Sequence, residues 1–136
     1  MRLAALAAVP SVLFLVGCTQ TTTSSTGDFE GAEKAVAQKI ADLTDAGTKR
    51  KPADICGGVL SEKLRARVAA GGASCNDEMK KAIEDVDQFD LEVDDVTVSG
   101  STATAQVRST DRDHKVVRTF RFIRQGNGDW RIDSFG

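Results

Sequence analysis

The chain has 136 residues, 40% of them hydrophobic and 28% charged, with a formal net charge of -2. That length suits one domain with one core, and the composition is globular rather than disordered, collagen-like or coiled-coil. Without a net positive field, nonspecific nucleic-acid binding has no electrostatic basis, so no nucleic-acid partner is expected.

Residues 3–16 are apolar or small apart from Ser11 and follow a single early cation, Arg2. This is the layout of a secretory signal segment. The run contains Pro10 and falls short of the roughly 20 apolar residues a membrane-spanning helix needs. The stretch Leu15-Val16-Gly17-Cys18 resembles a bacterial lipobox, in which the cysteine thiol receives lipid and the chain is cut just before it. The alternative is an ordinary signal peptide followed by a cysteine of the mature chain. The resemblance implies a signal peptide over residues 1–17 and lipid attachment at Cys18. It also implies a cell-membrane location, with the domain facing the extracytoplasmic side. One acyl chain binds a bilayer only marginally, and a diacylglyceryl cysteine supplies the second chain that stable anchoring needs. Residues 19–27 are Thr, Ser, Gln and Gly. They bury no apolar surface, so 18–27 reads as a flexible tether and the domain as 28–136.

Assigning Cys18 to lipid leaves Cys56 and Cys75 in a compartment where disulfides persist, and the two are expected to pair. A loop of this size contributes roughly 3 kcal/mol in the chain-entropy model. Buried free thiols, or a metal or redox pair, are the other readings. The spacing matches neither a CxxC nor a zinc pattern, and His114 is the only histidine, so no metal and no cofactor are expected.

Along the domain, Phe29, Ala32, Val36, Ile40 and Leu43 fall at steps of three and four, predicting a helix over 28–46 capped by Asp28 and stopped by Gly47. The run Lys49-Arg50-Lys51 reads as a solvated turn near an anionic membrane surface. Pro52 suits the first position of a short helix carrying Ile55 and Cys56. Gly57 and Gly58 interrupt it before Leu60, Leu64 and Val68 resume the spacing behind Ser61, and Gly71 and Gly72 end that segment. Ser74 to Asp77 is a capping signal for a third helix whose inner face is Met79, Ile83 and Val86.

After Phe89 the apolar period changes to two. Leu91 and Val93 lie on one parity and Val96 and Val98 on the other, placing a bulge at Asp94 and Asp95. Ser99-Gly100 makes a turn, and Ala103, Ala105 and Val107 form the inner face of a second strand. Asp111 to Asp113 is a turn, residues 116–124 a third strand, 126–128 a turn, and Trp130 to Asp133 a fourth strand. Helices followed by a four-strand meander make an α+β pattern, with three N-terminal helices packed on a curved antiparallel sheet.

This order, the alanines in STATAQV, the ending GNGDWRID and the cysteines in PADICGGVLSEKL and GGASC resemble the nuclear transport factor 2-like superfamily, which includes ketosteroid-isomerase-like enzymes. The resemblance implies a sheet wrapped around the first helix into a cone whose open end holds a small molecule, becomes an active site or meets a partner. It assigns no function, because that architecture hosts both enzymes and noncatalytic domains.

Enzymes of that superfamily place an Asp, sometimes with His or Tyr, inside the cone, and this chain has no Tyr and one His. His114 reads as part of a solvated turn, or as a catalytic base. Asp94 and Asp95 read as solvated acids on a bulge, or as an inward carboxylate. Asp133, beside Ile132, faces water or pairs with an arginine. Residues 76–95 hold nine acids and two lysines, and residues 108–131 hold seven Lys and Arg against three acids. Cross-strand pairing explains this split, while a basic face drawn from Arg108, Arg118, Arg121, Arg124 and Arg131 is the other reading. Strand alternation sends Arg121 to the face opposite Arg118 and Arg124. Phe120, Phe122 and Trp130 are core residues or line a small pocket. The sequence therefore favours a lipid-anchored, noncatalytic domain binding an envelope protein or small apolar ligand. An isomerase- or dehydratase-type enzyme with an inward Asp is the alternative.

Overall fold

The computed structural model describes residues 25–136, beginning with a 3-10 turn at Ser25–Asp28. The lipobox, Cys18 and most of the expected tether lie outside the described residues. Among the described residues, α1 (Gly31–Thr48), α2 (Pro52–Asp54), α3 (Glu62–Val68) and α4 (Cys75–Glu84) precede β1 (Leu91–Ser99), β2 (Thr102–Asp111), β3 (His114–Arg124) and β4 (Trp130–Ser134). The strands form one antiparallel sheet in the order β1-β2-β3-β4, so the domain is α+β as expected.

The expected second helix is divided in two. After α2, Ile55–Val59 makes a π-helical turn through Gly57 and Gly58, and Leu60 then turns extended (φ -83°, ψ 146°). Leu60 bridges Ile132 in parallel, and the Ser61 N–H donates to the Ile132 carbonyl at 2.8 Å. Four helical segments thus stand where three were expected, because this stretch leaves the helix to cover the outer edge of β4.

The first helix starts and stops at other residues than the periodicity suggests. Asp28 ends the 3-10 turn, and Glu30 is the residue before α1, with no side-chain cap. Phe29, partly buried, packs on the core ahead of the helix, and Gly31 at φ +56° turns the chain into it. Ala32 is exposed; the buried stripe is Val36, Ala37, Ile40, Leu43, Ala46 and Gly47. Gly47 lies inside the helix, where a Cβ would meet the Phe89 ring at 2.6 Å. The stop is Arg50, at φ 53°, in a Schellman arrangement: its N–H donates to the Gly47 carbonyl (3.1 Å) and the Lys51 N–H to the Ala46 carbonyl (2.8 Å).

The start signals of α3 and α4 hold. Ser61 and Ser74 accept hydrogen bonds from the backbone N–H groups of Leu64 (3.0 Å) and Asp77 (3.1 Å). In the sheet, Val93 pairs with Val107 and Asp95 with Gln106, leaving Asp94 as the extra residue of the expected bulge. A second irregularity follows Arg121 in the pairing of β3 with β4. The alternation of β2 and β3 turns Ala103, Ala105, Val107, Phe120 and Phe122 toward the helices, where they share one core with Ile40, Leu43, Ile83, Trp130 and Ile132.

Candidate functional site

The Cys56–Cys75 disulfide joins the π-helical turn to the first residue of α4, with Cα atoms 6.2 Å apart. It closes a loop containing α3. Among the described residues, no cluster of three or more His, Cys, Asp or Glu side chains is placed to hold a metal ion, and no helix is long and apolar enough to cross a membrane.

The acids considered as general bases lie at the surface. Asp94 is exposed and its Oδ1 pairs with the Arg108 Nη2 at 2.6 Å, while Glu92 reaches the same guanidinium at 3.3 Å. Asp95 is exposed. His114 is exposed at the start of β3, opposite Asp111 across a two-residue turn. Asp133 is half-buried; its Oδ1 accepts a 2.8 Å hydrogen bond from the Ser61 hydroxyl, and its carbonyl accepts from Arg67. No described Asp or Glu is buried, and Ser61 is the one buried polar residue among those described.

Phe120, Phe122 and Trp130 are 6%, 1% and 2% exposed and belong to the core cluster. Phe120 meets Phe135 edge-on at 5.1 Å, and the Arg124 guanidinium lies 5.8 Å from the Trp130 ring centroid. The arginines do not gather into one patch. Arg108 is held by β1 acids, Arg131 by Asp129, and Arg121 occupies the strand parity opposite Arg118 and Arg124.

Two linked polar clusters were not legible from local pattern. Lys39 on α1, half-buried, stands 3.2 Å from Asp129 and 3.4 Å from Asp42, and donates to the Gly58 carbonyl at 3.3 Å. Arg131 approaches Asp129 at 2.8 Å and donates to the Gly57 carbonyl. Asp129, in the turn before β4, thus holds two cations, one on α1 and one on β4, that both reach carbonyls of the π-helical turn. The run at 49–51 is also occupied: Lys49 pairs with Asp45, Lys51 with Asp54, and Arg50 donates to the Ile83 carbonyl at 2.9 Å. Eighteen helical residues at 1.5 Å each put that run about 27 Å from the start of α1, away from the end where the tether joins.

At this far end of α1 the surface is indented. A depression of about 380 Å³ is lined by Gly47, Thr48, Arg50 and the linker from α4 to β1. The same linker borders a second depression of about 340 Å³, completed by the β2–β3 turn, with Asp85, Asp87, Asp111 and Asp113 around Arg112. The arrangement can recognise a partner by charge and shape; it presents no desolvated acid or base. No protein-family model and no curated protein matches the chain.

Proposed function

We propose that the chain is an extracytoplasmic lipoprotein fastened through Cys18, and that its domain is a noncatalytic binding module of nuclear transport factor 2-like build. The element order, the long first helix against β1 and the bulge at Asp94 support that build. The observation that carries the noncatalytic reading is that no described carboxylate is buried, since a general base working near neutral pH needs a desolvated one. The aromatic residues contribute to the core, which favours a protein partner at the surface over a small apolar ligand inside. The disulfide supports an oxidising compartment. With the tether entering beside the start of α1, the far end of the helix points away from the membrane and meets the partner.

The test is intact mass of the full chain expressed in a bacterium with its own signal, beside a Cys18→Ala variant. The expected product begins at Cys18 with lipid added, and the variant carries none. An unlipidated parent would overturn the anchor.

A further inference from the structure

β3 is longer than the strand that covers it. β4 pairs with β3 only from Arg121 to Arg124, whereas β2 accompanies it from His114 to Ile123. The turn between β2 and β3 consists of Arg112 and Asp113, both left-handed at φ 45° and 70°, so Asp111 and His114 form the closing hydrogen-bonded pair. Antiparallel alternation then turns the backbone N–H and C=O of His114, Val116 and Arg118 toward β2, and those of Lys115, Val117 and Thr119 outward. Gly136 lies against the backbone of Thr119. The peptide groups of Lys115 and Val117 stay open, at a sheet edge, in a strand already held in extended form.

The side chains describe what fits there. Val117 is 54% exposed, the larger value of the two exposed large hydrophobic residues described. Among the described residues, neither Lys115 nor Arg118 has an ion-pair partner, unlike Lys39, Lys49, Arg108 and Arg131. Alternation sends Lys115 and Val117 to the solvent face of the sheet and Arg118 to the helix face, so both faces of an added strand would meet a cation. Lysine on an edge strand ordinarily keeps strands apart. A copy of the same segment paired at Lys115 would set that cation against itself, whereas a strand with two acids three residues apart, one on each face, among β-branched residues would pair with both cations.

We infer that the open edge of β3 at residues 115–118 docks an extended acidic segment of a partner protein, which adds to the sheet as a fifth strand. This names a partner class for the far end of the domain; it rests on the binding-module reading and not on the lipid anchor. The β2–β3 turn that borders the acidic depression starts this same edge.

The test uses the full chain in nonionic detergent, titrated with a blocked seven-residue peptide of Val and Thr with Glu at its second and fifth positions, on opposite faces of a strand, and with the same peptide carrying Lys for Glu. At a peptide concentration about ten times its Kd, amide exchange at Lys115 and Val117 is expected to slow about tenfold. Val116 and Arg118, whose N–H groups face β2, should not respond. Val117→Pro removes one open N–H without touching the β2 ladder and should abolish the effect. In a second variant, Lys115→Glu with Arg118→Glu, the preference should pass to the Lys peptide. No slowing, equal slowing by both peptides, or slowing that follows protein concentration without peptide would each overturn the inference; the last would identify a second copy as occupant. A chain without lipid that still binds the acidic peptide would remove the anchor alone, and a lipidated chain that ignores it would remove the strand addition alone.

Discussion

At Gly47 two residue-level forces oppose each other. Alanine in a helix interior is favoured over glycine by about 1 kcal/mol, yet its Cβ would fall 2.6 Å from the Phe89 ring. Overpacking of this kind costs roughly 1–3 kcal/mol. Gly47→Ala is therefore expected to lower the urea midpoint, and adding Phe89→Leu should restore part of the loss. A midpoint at or above that of the parent would refute the close approach. Ser61 is the other sensitive residue: buried, it caps α3 through Leu64 and donates to Asp133. Ser61→Ala should cost roughly 1–2 kcal/mol in denaturant melts, since a helix cap and a buried hydrogen bond are lost together. Asp129→Asn leaves Lys39 and Arg131 without their shared carboxylate. Both cations are only partly buried, so the loss should lie between the surface and buried limits, about 1–2 kcal/mol.

Between elements, the β2–β3 turn carries avoidable strain. Arg112 and Asp113 both hold positive φ, which costs an ordinary L-residue roughly 1–2 kcal/mol. Asn followed by Gly suits a turn of this hand. The double variant Arg112→Asn with Asp113→Gly should raise stability by about 1 kcal/mol and leave the strand register unchanged, which thermal melts and amide exchange would report. The disulfide acts on the other half of the domain. Cys56→Ser should cost about 3 kcal/mol and free a thiol at Cys75 that labels without reduction; a melting curve equal to the parent's would show that the loop needs no tie.

Across the whole molecule, what could be read from sequence was what depends on neighbours along the chain. The parity change between Val93 and Val96 announced the bulge at Asp94, and the serines at 61 and 74 announced two helix starts. The pairing of Cys56 with Cys75 followed from compartment and count. What escaped was set by residues far away. Gly47 looked like a terminator because its reason for being glycine is the Phe89 ring. Arg50 looked like a solvated cation because a positive φ leaves no mark in composition. Leu60 fitted a helical spacing until Ile132 offered it a bridge. For the candidate site, local pattern placed the acids on turns and the bulge, but not the open edge of β3, which exists only because β4 is short.

The cross-link between Cys56 and Cys75 also bears on survival among proteases. Between the two cysteines the chain passes through exposed Gly71 and Gly72 before α4 begins, the sort of loop where nicking concentrates. A single cut there would separate the sequence into two pieces that remain covalently joined, one holding α1 and the other the sheet. Such a nicked molecule would migrate as one species on a nonreducing gel and as two after reduction.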